Sequence, residues 1–164
     1  NTFTRCYRKI KKNVMKTIEG TKKELNTLSE MKGNKTIIPI CVDFDSTMVL
    51  SDYPYVIREN GNCSEILKRW VKEYNVGIIL NTMRSDEHLQ IALDWINEKE
   101  IPLYGIGENP MQKLWSNSKK AYGIFNIDDI NVGCPLIFEN GKYLVDWDEI
   151  VKILEPKLKE LSEL

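Results

Sequence analysis

Two apolar runs end in pairs of acids, and they lie far apart in the chain. Ile37-Ile38-Pro39-Ile40-Cys41-Val42 leads into Asp43-Phe44-Asp45, and Ile124-Phe125-Asn126-Ile127 leads into Asp128-Asp129. Strands buried on both faces of a parallel sheet read as continuous apolar runs, and open α/β sheets bind ligands at the carboxyl ends of their strands. The pattern therefore predicts that four carboxylates converge at one sheet edge. Such a cluster repels itself unless a hard cation or raised pKa values relieve it, so its expected use is to hold Mg²⁺ beside a phosphate.

The chain between and after these runs alternates helical and strand patterns. Ser64 is placed to cap a helix whose stripe is Ile66, Leu67, Trp70, Val71 and Tyr74, and Val76 to Leu80 reads as a buried strand ending at Asn81-Thr82-Met83-Arg84. Ser85 or Asp86 opens a second helix with Leu89, Ala92, Trp95 and Ile96 inward, Ile101 to Ile106 reads as a short strand, and a short helix is expected around Ser118 to Tyr122. Alternation at this spacing implies βαβ units with right-handed crossovers. Leu136 to Val145 is centred on Asn140-Gly141, a type I′ hairpin signal, and Asp148 is expected to cap a last helix bent at Pro156. The predicted fold is an α/β, Rossmann-like three-layer domain with a mainly parallel sheet, no large cap domain, and a C-terminal hairpin and helix.

At 164 residues the chain suits one core, given domains of about 100 to 150 residues. The domain is expected over 35–164, preceded by a basic arm over 1–34 in which nine Lys and Arg face Glu19, Glu24 and Glu30. There Tyr7, Ile10, Val14 and Ile18 recur at helical spacing. A formal net charge of -1 argues against a general nucleic-acid or membrane-surface binder. The arm keeps nucleic acid open as a secondary partner, although its lysines serve equally well as a solvated face. Cys6, Cys41, Cys63 and Cys134 show neither zinc-site pairing nor disulfide-scaffold density, and read as reduced thiols of a cytoplasmic protein.

The order of strand-Asp-x-Asp, strand-Thr, Lys and strand-Asp-Asp resembles the haloacid dehalogenase superfamily of phosphohydrolases, over roughly Ile37 to Trp147, and the small capless members most of all. The resemblance implies that Asp43 is the nucleophile, forming an aspartyl phosphate, and that Asp45 protonates the leaving oxygen and later activates water. It implies that Thr82 and Lys120 meet the phosphoryl oxygens, with Met83 and Arg84 beside them on the substrate side. Asp128, Asp129, Asp43 and the main-chain carbonyl of Asp45 would make the Mg²⁺ site, one acid of the adjacent pair acting through water. Relatives that cleave carbon–halogen bonds lack the second acid, so Asp45 points to phosphomonoester hydrolysis.

Several residues depart from that pattern or leave a choice. Ser46 stands where similar proteins usually carry Gly, and Ile130 where many carry Arg. Arg84 suits a phosphate or carboxylate of the substrate, and equally an ion pair with a nearby acid. His88 reads as a surface residue, and between Lys119 and Lys120 the resemblance favours Lys120. The segment from Ser46 to Asn62 is too short for a folded cap and is expected to form a flap. A phosphorylated small molecule is the expected substrate, with a large substrate or a second subunit as the missing cover. A non-catalytic phosphate- or metal-binding module and a nucleic-acid end phosphatase are the alternatives.

Overall fold

The computed structural model describes residues 37–163, so the basic arm expected over 1–34 lies outside the described residues. Four parallel strands form the central sheet: β1 (Ile38–Val42), β4 (Val76–Leu80), β5 (Leu103–Ile106) and β6 (Phe125–Ile127), in the order β5-β4-β1-β6. Between β1 and β4 the chain makes an antiparallel hairpin, β2 (Val49–Asp52) and β3 (Tyr55–Glu59), where the sequence predicts a flap. The helices are α1 (Cys63–Tyr74), α2 (Asp86–Glu98) and α3 (Trp147–Ser162), and a second hairpin, β7 (Leu136–Glu139) and β8 (Lys142–Val145), precedes α3.

β1 is central because it is apolar on both faces. Ile38, Ile40 and Val42 are fully buried and share one core with Val76, Ile78 and Leu80 of β4 and with residues of all three helices. Trp95 of α2 meets the Phe44 ring edge-on at 5.6 Å, and Trp70 of α1 lies 6.2 Å from Trp147 of α3. Steps from β1 to β4 and from β4 to β5 run in one direction along the sheet. Right-handed crossovers therefore place α1 and α2 on the same face. The step back from β5 to β6 must cross the other face, where Cys41 and Ile79 point. There the chain passes so close that a Cβ at Gly123 would lie 2.8 Å from both the amide nitrogen and Sγ of Cys41, a gap only glycine fits. The architecture is a Rossmann-like α/β fold: helices, sheet, and a third layer of crossover chain.

That third layer differs from the sequence expectation. It holds a single 3₁₀ turn at Gln112–Leu114, and Ser118 to Tyr122 is not helical. The Gln112 side chain replaces the helical bonding. Its Nε2 donates to the carbonyls of Ser118 and Lys120, and its Oε1 accepts the Tyr122 amide at 2.7 Å. A buried glutamine that satisfies three backbone groups makes a helix unnecessary there.

The caps also differ in detail. α1 starts at Cys63, and the amide of Ser64 donates to Glu59 Oε1 of β3 at 2.8 Å. Asp146, not Asp148, caps α3 by accepting the Glu149 amide, and α3 continues through Pro156. Ser85 holds the N-cap position of α2 without a side-chain cap bond. The C-terminal hairpin is as expected, since Asn140 and Gly141 both take positive φ (51° and 77°), which a type I′ turn demands. The two hairpins join through Arg58 and Glu139 at 2.7 Å and through Lys142 Nζ on the Ser51 carbonyl. Among the described residues Cys41, Cys63 and Cys134 are free thiols, and no helix is long and apolar enough to cross a membrane.

Candidate functional site

Strand register builds the site. Val42 pairs with Leu80 on one side and Ile127 on the other, so the next residues, Asp43, Asn81 and Asp128, fall level at the carboxyl edge. Two bonds extend the pairing by one step: Asp43 N donates to the Ile127 carbonyl and Asn81 N to the Val42 carbonyl, each at 2.9 Å. Asp43, Asp128 and Asp129 each offer a carboxylate oxygen, and the three atoms lie within 4.8 Å of one another. Burial raises the pKa of Asp43 from 3.8 to about 7, and the charges of Asp128 and Asp129 push the same way. The Phe44 amide and the Thr47 hydroxyl oppose them only in part. Asp129 is raised too, by burial and then by Asp128 and Asp45.

The turn after β1 is tied down at every residue. The Phe44 carbonyl accepts the amides of Thr47, Met48 and Val49, the last two at 2.8 and 3.2 Å, and the Ser46 carbonyl accepts Val145 N at 2.9 Å. Ser46 takes φ 60°, the left-handed region that explains why glycine is usual in similar turns. The buried Thr47 has its carbonyl held by Asn60 Nδ2 and Trp147 Nε1, and its hydroxyl donates to Asp43 Oδ2 at 3.2 Å. Thr47 and Asn60 did not stand out in the sequence. The available signal was spacing, because a threonine four residues after the acid returns to it when the chain turns.

Asp45 points elsewhere. Arg84 Nε and Nη2 each donate at 2.8 Å to a different Asp45 oxygen, and Ser51 Oγ donates to Oδ1 at 2.6 Å. Burial alone would raise the Asp45 pKa, but Arg84, Ser51 and Lys142 outweigh it and hold the carboxyl below its usual range. Of the four acids expected at the metal, the side chain of Asp45 thus stands outside the group. Arg84 is 1% exposed at its side chain, stacks on the Phe44 and Tyr53 rings, and donates Nη1 to the carbonyls of Pro54 and His88. The substrate contact expected of Arg84 is replaced by the ion pair, because its fork is already filled. His88 is no bare surface residue: its Nδ1 lies 2.8 Å from the Tyr53 hydroxyl.

Thr82 stands at the end of β4, where its Oγ1 accepts Arg84 N at 3.2 Å. Met83 is 99% exposed. Lys120 is exposed, at a bend and not on the helix expected for it. Burial pushes the Cys41 thiol up and the Lys120 ammonium pulls against it, which puts this charge on the β1 side. Lys119 instead lines a groove of about 420 Å³ with Asn109, Gln112 and Ser116. The two lysines, adjacent at a bend, thus have different surroundings.

No protein-family model and no curated protein matches the chain. The fold is similar to the solved structure of a conserved protein from Bacteroides thetaiotaomicron, with a TM-score of 0.61 and 27% identity over 74% of this chain and 93% of that one.

Proposed function

We propose that this chain is a Mg²⁺-dependent phosphohydrolase of the haloacid dehalogenase type, cleaving a phosphomonoester through a phospho-aspartate. The observation that carries this reading is the meeting of Asp43, Asp128 and Asp129 at two adjacent strand ends, with Asp43 pushed up to about 7. The donor set fits a hard divalent cation: all its atoms are carboxylate oxygens, and their mutual repulsion is the strain such a charge relieves. Bound there, Mg²⁺ would offset the negative charge of a phosphate dianion approaching a carboxylate.

The chain's own groups fall into matching roles. Thr47 fixes one Asp43 oxygen and leaves the other to attack phosphorus as the bond to the leaving oxygen breaks. Thr82 accepts a bond from Arg84 N, so its own O–H remains to donate to a phosphoryl oxygen. Lys120, whose charge reaches Cys41 of β1, is the cation assigned to the negative charge that spreads over the equatorial oxygens. Water then attacks the aspartyl phosphate, restoring Asp43 and yielding inorganic phosphate. Asp45, ionised in its fork, is set up as the base for that water. To protonate a leaving alkoxide it must first take up a proton and loosen its hold on Arg84.

The same fork favours a second reading, a phosphate- and metal-binding module without turnover. A phosphate-release screen with Mg²⁺ over sugar phosphates, nucleotides, phosphoserine-type compounds and nucleic-acid ends separates the two. Release that stops with EDTA and with Asp43→Asn supports the enzyme. Phosphate binding without release from any substrate supports the module.

A further inference from the structure

The three most exposed large apolar side chains among the described residues are Val132 (106%), Met83 (99%) and Ile130 (82%). Met83 and Ile130 adjoin residues of the candidate site, and Val132 follows on the Ile130 loop, where it also lines a groove against α3. Met83 directly follows Thr82 at the end of β4, and Ile130 directly follows Asp129 after β6. β4 and β6 flank β1 on either side. With strands about 4.8 Å apart, the two loops stand roughly 10 Å from each other across Asp43. A group esterified to a phosphate at Asp43 would have one of these loops on either side.

Neither loop is slack. Thr82 Oγ1 holds the amide of Arg84, whose guanidinium is buried, so Met83 projects from between two anchored residues. Beyond β6, Ile130 N donates to Asp128 Oδ1, Asn131 N to the Asp128 carbonyl, and Asn131 Nδ2 to the Asn126 carbonyl. Single exposed apolar residues need no explanation, but three concentrated on ordered loops around one site do. Two of the polar side chains on these loops are already engaged: Arg84 on Asp45, Pro54 and His88, and Asn131 on Asn126. A leaving group rich in hydroxyls or carboxylates would lose water against these apolar side chains and gain no partner from them.

We infer that the substrate is the phosphomonoester of an apolar alcohol, aliphatic or aromatic, whose hydrocarbon part lies between Met83 and the Ile130–Val132 loop. The inference rests on the phosphohydrolase reading and names its substrate class. Burying a hydrocarbon group between such side chains discriminates through binding of the leaving group, and so acts on KM.

The test compares phenethyl phosphate, glucose 6-phosphate and methyl phosphate, with Mg²⁺, on the wild-type chain and on Met83→Ser and Ile130→Ser. Phenethyl alcohol and glucose both leave as primary alcohols, so their difference reports recognition. Methyl phosphate is too short to reach the rim. Phenethyl phosphate is expected to show a KM at least about tenfold below both others, and each serine variant to erase most of that advantage by raising the phenethyl phosphate KM far more than the methyl phosphate KM. Glucose 6-phosphate turned over as well as phenethyl phosphate would overturn the inference. So would an unchanged phenethyl KM in both variants, including the case in which the variants alter only the oligomeric state and mark the rim as a subunit contact. Calorimetric binding of phenethylphosphonate and methylphosphonate separates the two readings. Preference for the phenethyl compound without hydrolysis of any ester sinks the phosphohydrolase and keeps the apolar site, and equal binding without hydrolysis sinks both.

Discussion

Arg84 holds Asp45 in a two-pronged grip, Nε and Nη2 each 2.8 Å from a different carboxylate oxygen, although 39 positions separate the two residues in the chain. The same guanidinium donates to the Pro54 carbonyl at the turn of the β2–β3 hairpin. One side chain thus ties the expected acid–base residue, the flap and the start of α2 together. The arginine is almost fully buried, whereas Asp45 keeps 30% of its side chain exposed, so the pair is not sealed from water.

Removing one member of such a pair strands the other. Arg84→Met is expected to cost about 3 kcal/mol of stability, and Arg84→Met combined with Asp45→Asn to cost less than the sum of the two single changes. Denaturant unfolding of the four proteins measures the coupling, and strict additivity would show that the grip contributes little.

Asp43 makes the cation-free protein less stable as pH rises. Its folded pKa of about 7 lies above the ordinary 3.8, so the folded state binds the proton more tightly. The penalty is absent below the ordinary value, grows across the interval between the two and is complete above about 7. Asp45 works in the opposite sense, but its loss falls at pH below the ordinary carboxylate value. Melting in EDTA should therefore occur several degrees higher near pH 5 than near pH 8, and Mg²⁺ should raise the value at pH 8. Equal melting temperatures at both values would contradict the raised pKa.

Asp43→Asn removes the proposed nucleophile and a source of repulsion with almost no change in volume. Turnover should fall by orders of magnitude while the cation-free protein melts higher at pH 8 and loses most of its pH dependence. Phosphate release and thermal melts on the same preparation check both halves. A variant that is inactive but destabilised would mean that the carboxylate holds the turn together.

Lys120→Ala should lower activity about a hundredfold or more, and Lys119→Ala only slightly, because the charge of Lys120 reaches Cys41 of β1 whereas Lys119 lines a separate groove. Saturating Mg²⁺ in both assays removes any difference in metal binding. The reverse ranking would move the phosphate contact to Lys119.

Thr47→Val keeps the carbonyl that Asn60 and Trp147 hold but removes the hydroxyl on Asp43. A loss of about 1 kcal/mol of stability and a clear drop in kcat with little change in KM are expected. A rise in KM at constant kcat would instead assign Thr47 to substrate binding.

Much of this was written locally. The continuous apolar run of β1, the Asn140-Gly141 turn and the stripe of α1 are each visible within a dozen residues, because burial on a strand or helix imposes its own period. The meeting of Asp43 with Asp128 could be read as well: both follow apolar runs, and parallel strands align their carboxyl ends. What lay beyond reach depends on contacts that no local period records. Whether Arg84 turned to a substrate or to Asp45 was settled when the hairpin folded over it. Whether 118–122 coiled was settled by one buried glutamine offering better partners than a helix would. Local sequence determines which residues must be buried and where strands end, since hydrophobic burial acts residue by residue. Tertiary structure alone decided how the polar groups paired, because a hydrogen bond chooses among all the donors and acceptors that folding brings within about 3 Å.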